Sequence, residues 1–134
     1  MIELHPLLSL TGTATIEKLG KVQDGERLKI EMRGKNAPGS TIAGKVRWTD
    51  WVLIGPLGPG ETSSVGEIAT DDRQRLVLEL RGYAQSGNGD GMELRTCGII
   101  RSASPRFVDL NGHVAVAVAR IAADRHVDIT VYEI

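Results

Sequence analysis

The chain has 134 residues and a single cysteine, Cys97, so no intramolecular disulfide braces it and nothing points to an oxidising compartment. Aromatic residues are scarce: two Trp, two Tyr and one Phe. Charge of either sign is balanced, 16 Lys and Arg against 17 Asp and Glu, for a net −1. That balance removes the electrostatic footprint of a nucleic-acid binder. No apolar run approaches the ~18–20 residues of a membrane helix, and no charged-then-apolar leader opens the chain. The expectation is a cytoplasmic protein with no nucleic acid and no membrane among its partners.

Sites that need clustered ligands are missing too. His5, His113 and His126 are scattered, and with Cys97 they show no close metal-ligand spacing. No Gly-x-Ser-x-Gly nucleophile elbow occurs. Gly87-Asn-Gly-Asp-Gly91 has an anion-cradling composition but lacks the lysine and helix of a phosphate-binding loop. No metal and no cofactor is expected.

What remains is ordinary globular composition, 41% hydrophobic and 25% charged, with 16 glycines. One domain of this length buries one core. Period-two alternation dominates: Leu28, Ile30 and Met32; Leu76, Leu78 and Leu80; Val127, Ile129 and Val131 each alternate with polar neighbours. These patterns predict half-buried strands over Arg27–Arg33, Arg75–Tyr83 and the C-terminal segment. Weaker strand patterns cover Leu10–Val22, Thr41–Trp48, Trp51–Ile54, Thr62–Thr70, Met92–Arg101 and His113–Ile121. The last is alanine-rich, yet its alternating Val114, Val116 and Val118 favour a strand over a helix. Turn chemistry separates them at 34–40, 55–60, 70–73 and 85–91. Turns roughly 10–15 residues apart suit an antiparallel meander. Closing the sheet removes its exposed edges, so the predicted fold is all-β: one antiparallel β-barrel of eight to nine strands.

Several fragments in order then resemble a family of bacterial and fungal proteins known as domain of unknown function 3237. They are Ile42-Ala-Gly-Lys-Val leading to Thr49-Asp50-Trp51, Thr70-Asp71-Asp72, Ser104-Pro105-Arg106-Phe107, Leu110-Asn111 and the terminal Val131-Tyr132-Glu133-Ile134. The resemblance runs from Thr11 to Ile134. It implies a calycin-like barrel with a pocket at one mouth, often a homodimer. The chain departs from the pattern at Val65–Ala69, where the family carries an arginine and a tyrosine, and at Asp109, where it carries a tryptophan. The stretch between Arg106-Phe107 and Leu110-Asn111 is also shorter.

The sharpest candidate is Asp50-Trp51. A carboxylate beside an indole in a pocket would have its pKa raised by desolvation into the range of an acid/base. The plainer alternative has Asp50 capping a turn while Trp51 fills the barrel. Trp48 and Trp51, three apart, point to opposite faces of a regular strand. Arg106, Asn111 and His113 could gather at a barrel mouth, with Arg106 holding an anion. Their alternatives are a guanidinium on backbone carbonyls, an Asn111-Gly112 turn and a partly buried His113. Glu79 and Arg81 read as a solvated face, and Cys97 as a small buried hydrophobe. The basic excess between Lys18 and Arg47, eight cations against Asp24, Glu26 and Glu31, reads as solvated.

The functional expectation is a barrel binding one small hydrophobic or aromatic molecule in its lumen. It would act as a cofactor-independent isomerase, cyclase or dehydratase with Asp50 as acid/base. Two alternatives stand beside it: a non-catalytic carrier or sensor, and a structural dimer whose lumen is filled. A filled lumen would leave no cavity of the roughly 300 Å3 that a ligand needs.

Overall fold

The computed structural model describes residues 2–23, 25–36, 42–55, 60–86 and 91–134. Eight strands follow one another: β1 His5–Val22, β2 Gly25–Asn36, β3 Lys45–Ile54, β4 Gly60–Ala69, β5 Arg75–Ser86, β6 Met92–Arg101, β7 Val114–Ile121 and β8 His126–Glu133. Each pairs antiparallel with the next, and β8 pairs with β1, so the sheet is a closed barrel. The predicted segments Thr41–Trp48 and Trp51–Ile54 are parts of one strand, β3, which makes the number eight. The turn chemistry foreseen at 37–40, 56–59 and 87–90 lies outside the described residues.

Alternation delivers the core. Ile30, Leu76, Leu78, Ile100 and Val131 have no exposed surface at all, and Trp48 keeps 1%. A side chain with no exposed surface adjoins no void large enough for a water molecule. The lumen around these residues is packed with side chains, as an eight-stranded barrel permits. A gap beside Gly12, Gly34 and Trp48 amounts to only about 10 Å3. The expected ligand cavity in the lumen is therefore corrected. Bulky Leu, Ile and Trp side chains from most strands meet the alanines of β7 in the middle and fill it.

Two local features shape the lumen. Gly66 lies opposite Trp48 in the β3–β4 register, and a Cβ there would come within 2.5 Å of two indole carbons. Strand β7 turns Ala115, Ala117 and Ala119 inward and leaves Val114, Val116 and Val118 outside. The barrel takes small residues inward here because facing elements supply the volume.

The β4–β5 connection is the hairpin turn foreseen at Thr70-Asp71-Asp72. The Thr70 N–H donates to the Gln74 carbonyl at 2.9 Å, and the Gln74 N–H donates to Thr70 Oγ1 at 3.0 Å. Arg73 takes φ 64° inside it. Between β6 and β7 the chain makes a 3-10 helix, Pro105–Leu110, which the alternation did not predict. The end of the barrel bearing this helix and the β4–β5 turn is termed the helix end, and the opposite one the far end.

Candidate functional site

Asp50 sits in the middle of β3, not at a turn. It shares the inward face with Val46, Trp48 and Val52, and is 1% exposed. Its Oδ1 accepts hydrogen bonds from Ser64 Oγ and, at 3.4 Å, from Thr62 Oγ1. Both hydroxyls come from β4, where Thr62, Ser64, Gly66 and Ile68 alternate inward. The Oδ2 atom is buried with no partner among the described residues. Burial strips the carboxyl of water and raises its pKa to about 7, against the opposing pull of Ser64, Thr62 and Trp48. The capping alternative is thereby corrected, because β3 runs unbroken through Thr49 and Asp50 and no turn is there to cap.

Trp51, one residue on, points outward and is 45% exposed, so it neither fills the barrel nor shares a face with Asp50. It lines an open groove of about 540 Å3 toward the far end, together with Leu53, Glu61, Ser63, Arg81 and Tyr83. The register explains the assembly. Trp51, Ser63 and Arg81 lie in one row across β3, β4 and β5, and Leu53, Glu61 and Tyr83 in the next. Tyr83 is 60% exposed. The buried Val52 and Thr62 belong to the same groove from beneath, so Thr62 touches both the groove and Asp50.

The other expected site residues lie at the helix end. Arg106, in the 3-10 helix, places Nη1 3.4 Å from both Asp72 carboxylate oxygens, and its guanidinium sits 5.1 Å from the Phe107 ring centre. The Asp72 carboxyl is held below its usual range chiefly by the Thr70 hydroxyl, with Arg106 a lesser cause. Asn111 Oδ1 accepts the Ser102 N–H at 3.1 Å, and Gly112 beside it takes φ 86°. His113 is exposed, precedes β7, and pairs through Nδ1 with Glu133. The structure does not join these three to Asp50 and Trp51. A sequence order that runs Asp-Trp … Arg … Asn … His carries no information about which end of a closed barrel each reaches. Arg106 is thus a surface residue of the 3-10 helix. Replacing it with alanine is expected to leave the melting temperature and any binding in the groove essentially unchanged, as thermal melts and titrations would record.

Glu79 and Arg81 both face outward, and Glu79 accepts from Arg101 Nε at 3.0 Å rather than from Arg81. Cys97 is exposed, contrary to the buried reading: Thr96 at 6% takes the inward position, which turns its neighbour out. Sequence reasoning missed Thr62, Ser64, Glu61 and Tyr83. The inward Ser and Thr of β4 look like a solvated stripe in sequence, and only their pairing with β3 reveals what they serve.

No family model matches the chain, and neither does any curated protein. Solved structures do resemble it. A protein of unknown function from Clostridium acetobutylicum is 22% identical with a TM-score of 0.81, covering 99% of both chains. One from Rhodopseudomonas palustris is 22% identical at 0.80, over 99% of this chain and 97% of its own. A β-barrel like protein from Acinetobacter baumannii is 22% identical at 0.78, over 98% and 94%. These likenesses extend to the fold, and they agree with the barrel derived from alternation.

Proposed function

We propose that the protein binds a small hydrophobic or aromatic molecule on the outer wall of its barrel and serves as a carrier or sensor. The observation that carries this reading is the joint exposure of Trp51 and Tyr83 in one groove of about 540 Å3. That volume suits one small organic molecule. Two exposed aromatic faces offer stacking, and Arg81 and Glu61 supply polar handles at their edges. Asp50 lies on the opposite face of β3 and touches no ligand there.

The fluorescent probe 8-anilino-1-naphthalenesulfonate tests the reading. Saturable one-site binding is expected, weakened about ten-fold by Trp51→Ala and by Tyr83→Ala. Binding of equal strength in both variants would sink it.

One observation favours the catalytic alternative. The Asp50 carboxyl titrates at about 7, within the working range of a general acid/base. Such an enzyme would need Thr62 to swing aside and admit substrate from the groove. Loss of turnover in Asp50→Asn, with probe binding retained, would establish it. A homodimer rests on the resemblance to domain of unknown function 3237 and on the exposed Ile99 and Val114 of β6 and β7, and sedimentation would measure it. The cytoplasmic assignment rests on the unpaired, exposed Cys97. No helix among the described residues is long and apolar enough to cross a membrane.

A further inference from the structure

A second groove, of about 460 Å3, lies on the outer wall of β2–β5 toward the helix end. Among the described residues its charged lining is Arg33, Lys35, Lys45, Arg47 and Arg75, with one carboxylate, Glu67. The eight cations scattered between Lys18 and Arg47 in sequence thus contribute four to a single patch. Alternation accounts for the gathering: Arg33 and Lys35 share the outward face of β2, and Lys45 and Arg47 share that of β3.

The register then sets like against like. Arg33 stands directly opposite Arg47, and Lys35 directly opposite Lys45. Directly opposed like charges on paired strands destabilise a sheet. Their surroundings compensate only in part. Glu67 stands opposite Arg47 on β4 and lies 3.9 Å from Arg75, and Glu31 lies 3.1 Å from Lys29. None of Arg33, Lys35, Lys45 and Arg47 makes an ion pair among the described residues, and residues 37–41 contain no acid. Arg33 and Arg47 reach Glu31 only through their field, which adds to the larger effect of Lys29 in lowering its pKa. A fold that opposes four cations in register, with the single carboxylate of Glu67 facing Arg47 among the described residues, breaks a local rule, and such breaks accompany functional sites.

We propose that this groove binds a compact anion bearing two or more phosphate groups. The α-carbons of the two cation pairs are about 7 Å apart along the strands, and those of facing partners about 5 Å apart. That spacing suits two linked phosphates better than one. The arginine forks of Arg33 and Arg47 can grip one phosphate bidentately, and Lys35 and Lys45 supply point charges for the next. Among the described residues the lining contains no aromatic side chain, so bases of a single-stranded nucleic acid would find nothing there to stack on. The volume fits one small molecule.

Calorimetric titration of the full chain with inorganic tripolyphosphate at about 50 mM salt tests this, since such contacts are screened at higher ionic strength. One-to-one binding is expected, tighter than that of inorganic phosphate and weakened at least about ten-fold in the double variant Arg33→Gln/Arg47→Gln. Lys35→Gln/Lys45→Gln should weaken it as well. In the absence of anion Lys35→Gln/Lys45→Gln should melt no lower than the native chain, because it removes an opposed like-charge pair and Lys45 faces only Ala69 on β4. Absent binding, equal binding in the variants, or phosphate binding as tightly as tripolyphosphate would overturn the proposal. So would tighter binding of a single-stranded oligonucleotide or of anionic vesicles for which tripolyphosphate fails to compete.

Discussion

Asp50→Asn is expected to stabilise the barrel above neutral pH. The Asp50 carboxyl has an ordinary value near 3.8 in the unfolded chain and about 7 in the barrel, raised by burial. Below pH ~4 both states hold the proton and the group contributes no pH dependence. Between about 4 and 7 the unfolded chain releases the proton while the folded chain keeps it, so stability falls as pH rises. Above 7 both are ionised, and the full penalty of a buried charge remains. The difference between the two values corresponds to roughly 4 kcal/mol. Asparagine has the same shape, carries no charge, and retains an oxygen to accept from Ser64 and Thr62. Chemical denaturation from pH 4 to pH 8 should show the variant gaining on the native chain with rising pH, and parity between them at pH 8 would refute the account. A gain would also mean that the native chain keeps an ionisable group where a neutral one is more stable. That is the pattern of a residue retained for something other than folding.

Trp48→Ala is expected to be the most damaging single change to the core, by roughly 3–5 kcal/mol. The indole is 1% exposed and lies over the bare backbone of Gly66, with two ring carbons 2.5 Å from where a Cβ would stand. Alanine would leave an indole-sized hole that rigid strands on all sides cannot close. In a domain of this size the melting temperature should drop by about 10 °C or more. The reverse error is Gly66→Ala, which overpacks the same spot at a cost of roughly 1–3 kcal/mol. The ring is flat and hemmed in, so it cannot yield. The two sites should therefore be strongly coupled: in a Trp48→Leu background, Gly66→Ala should lose most of its cost. A neutral Gly66→Ala, or a cost independent of residue 48, would mean that the indole does not need the glycine.

Much of the barrel was legible along the chain because a strand's burial has period two. The inward faces of β2, β5 and β8 could be read directly from Leu28, Ile30 and Met32, from Leu76, Leu78 and Leu80, and from Val127, Ile129 and Val131. The same rule applied through residues 46–52 would have placed Asp50 inside with Val46, Trp48 and Val52. Treating Thr49-Asp50 as a break between two strands concealed it. Strand β7 was legible as a strand, but its alternation of Ala and Val did not reveal that the smaller set faces inward. That choice depends on how much lumen the other strands have already filled.

The sequence by itself determined an antiparallel all-β chain with alternating faces, the β4–β5 turn, and the opposite orientation of Trp48 and Trp51. These follow from local backbone geometry, which extends over a few residues and repeats. Only the tertiary structure decided what lies beside what. Closure of β8 onto β1 and the register between strands put Ser64 against Asp50, Gly66 under Trp48, Tyr83 near Trp51 and Arg33 opposite Arg47. The same closure sent Arg106, Asn111 and His113 to the helix end, away from the groove that Trp51 lines. Register is a relation between distant segments, set by the packing of one shared interior, and no window of sequence contains it.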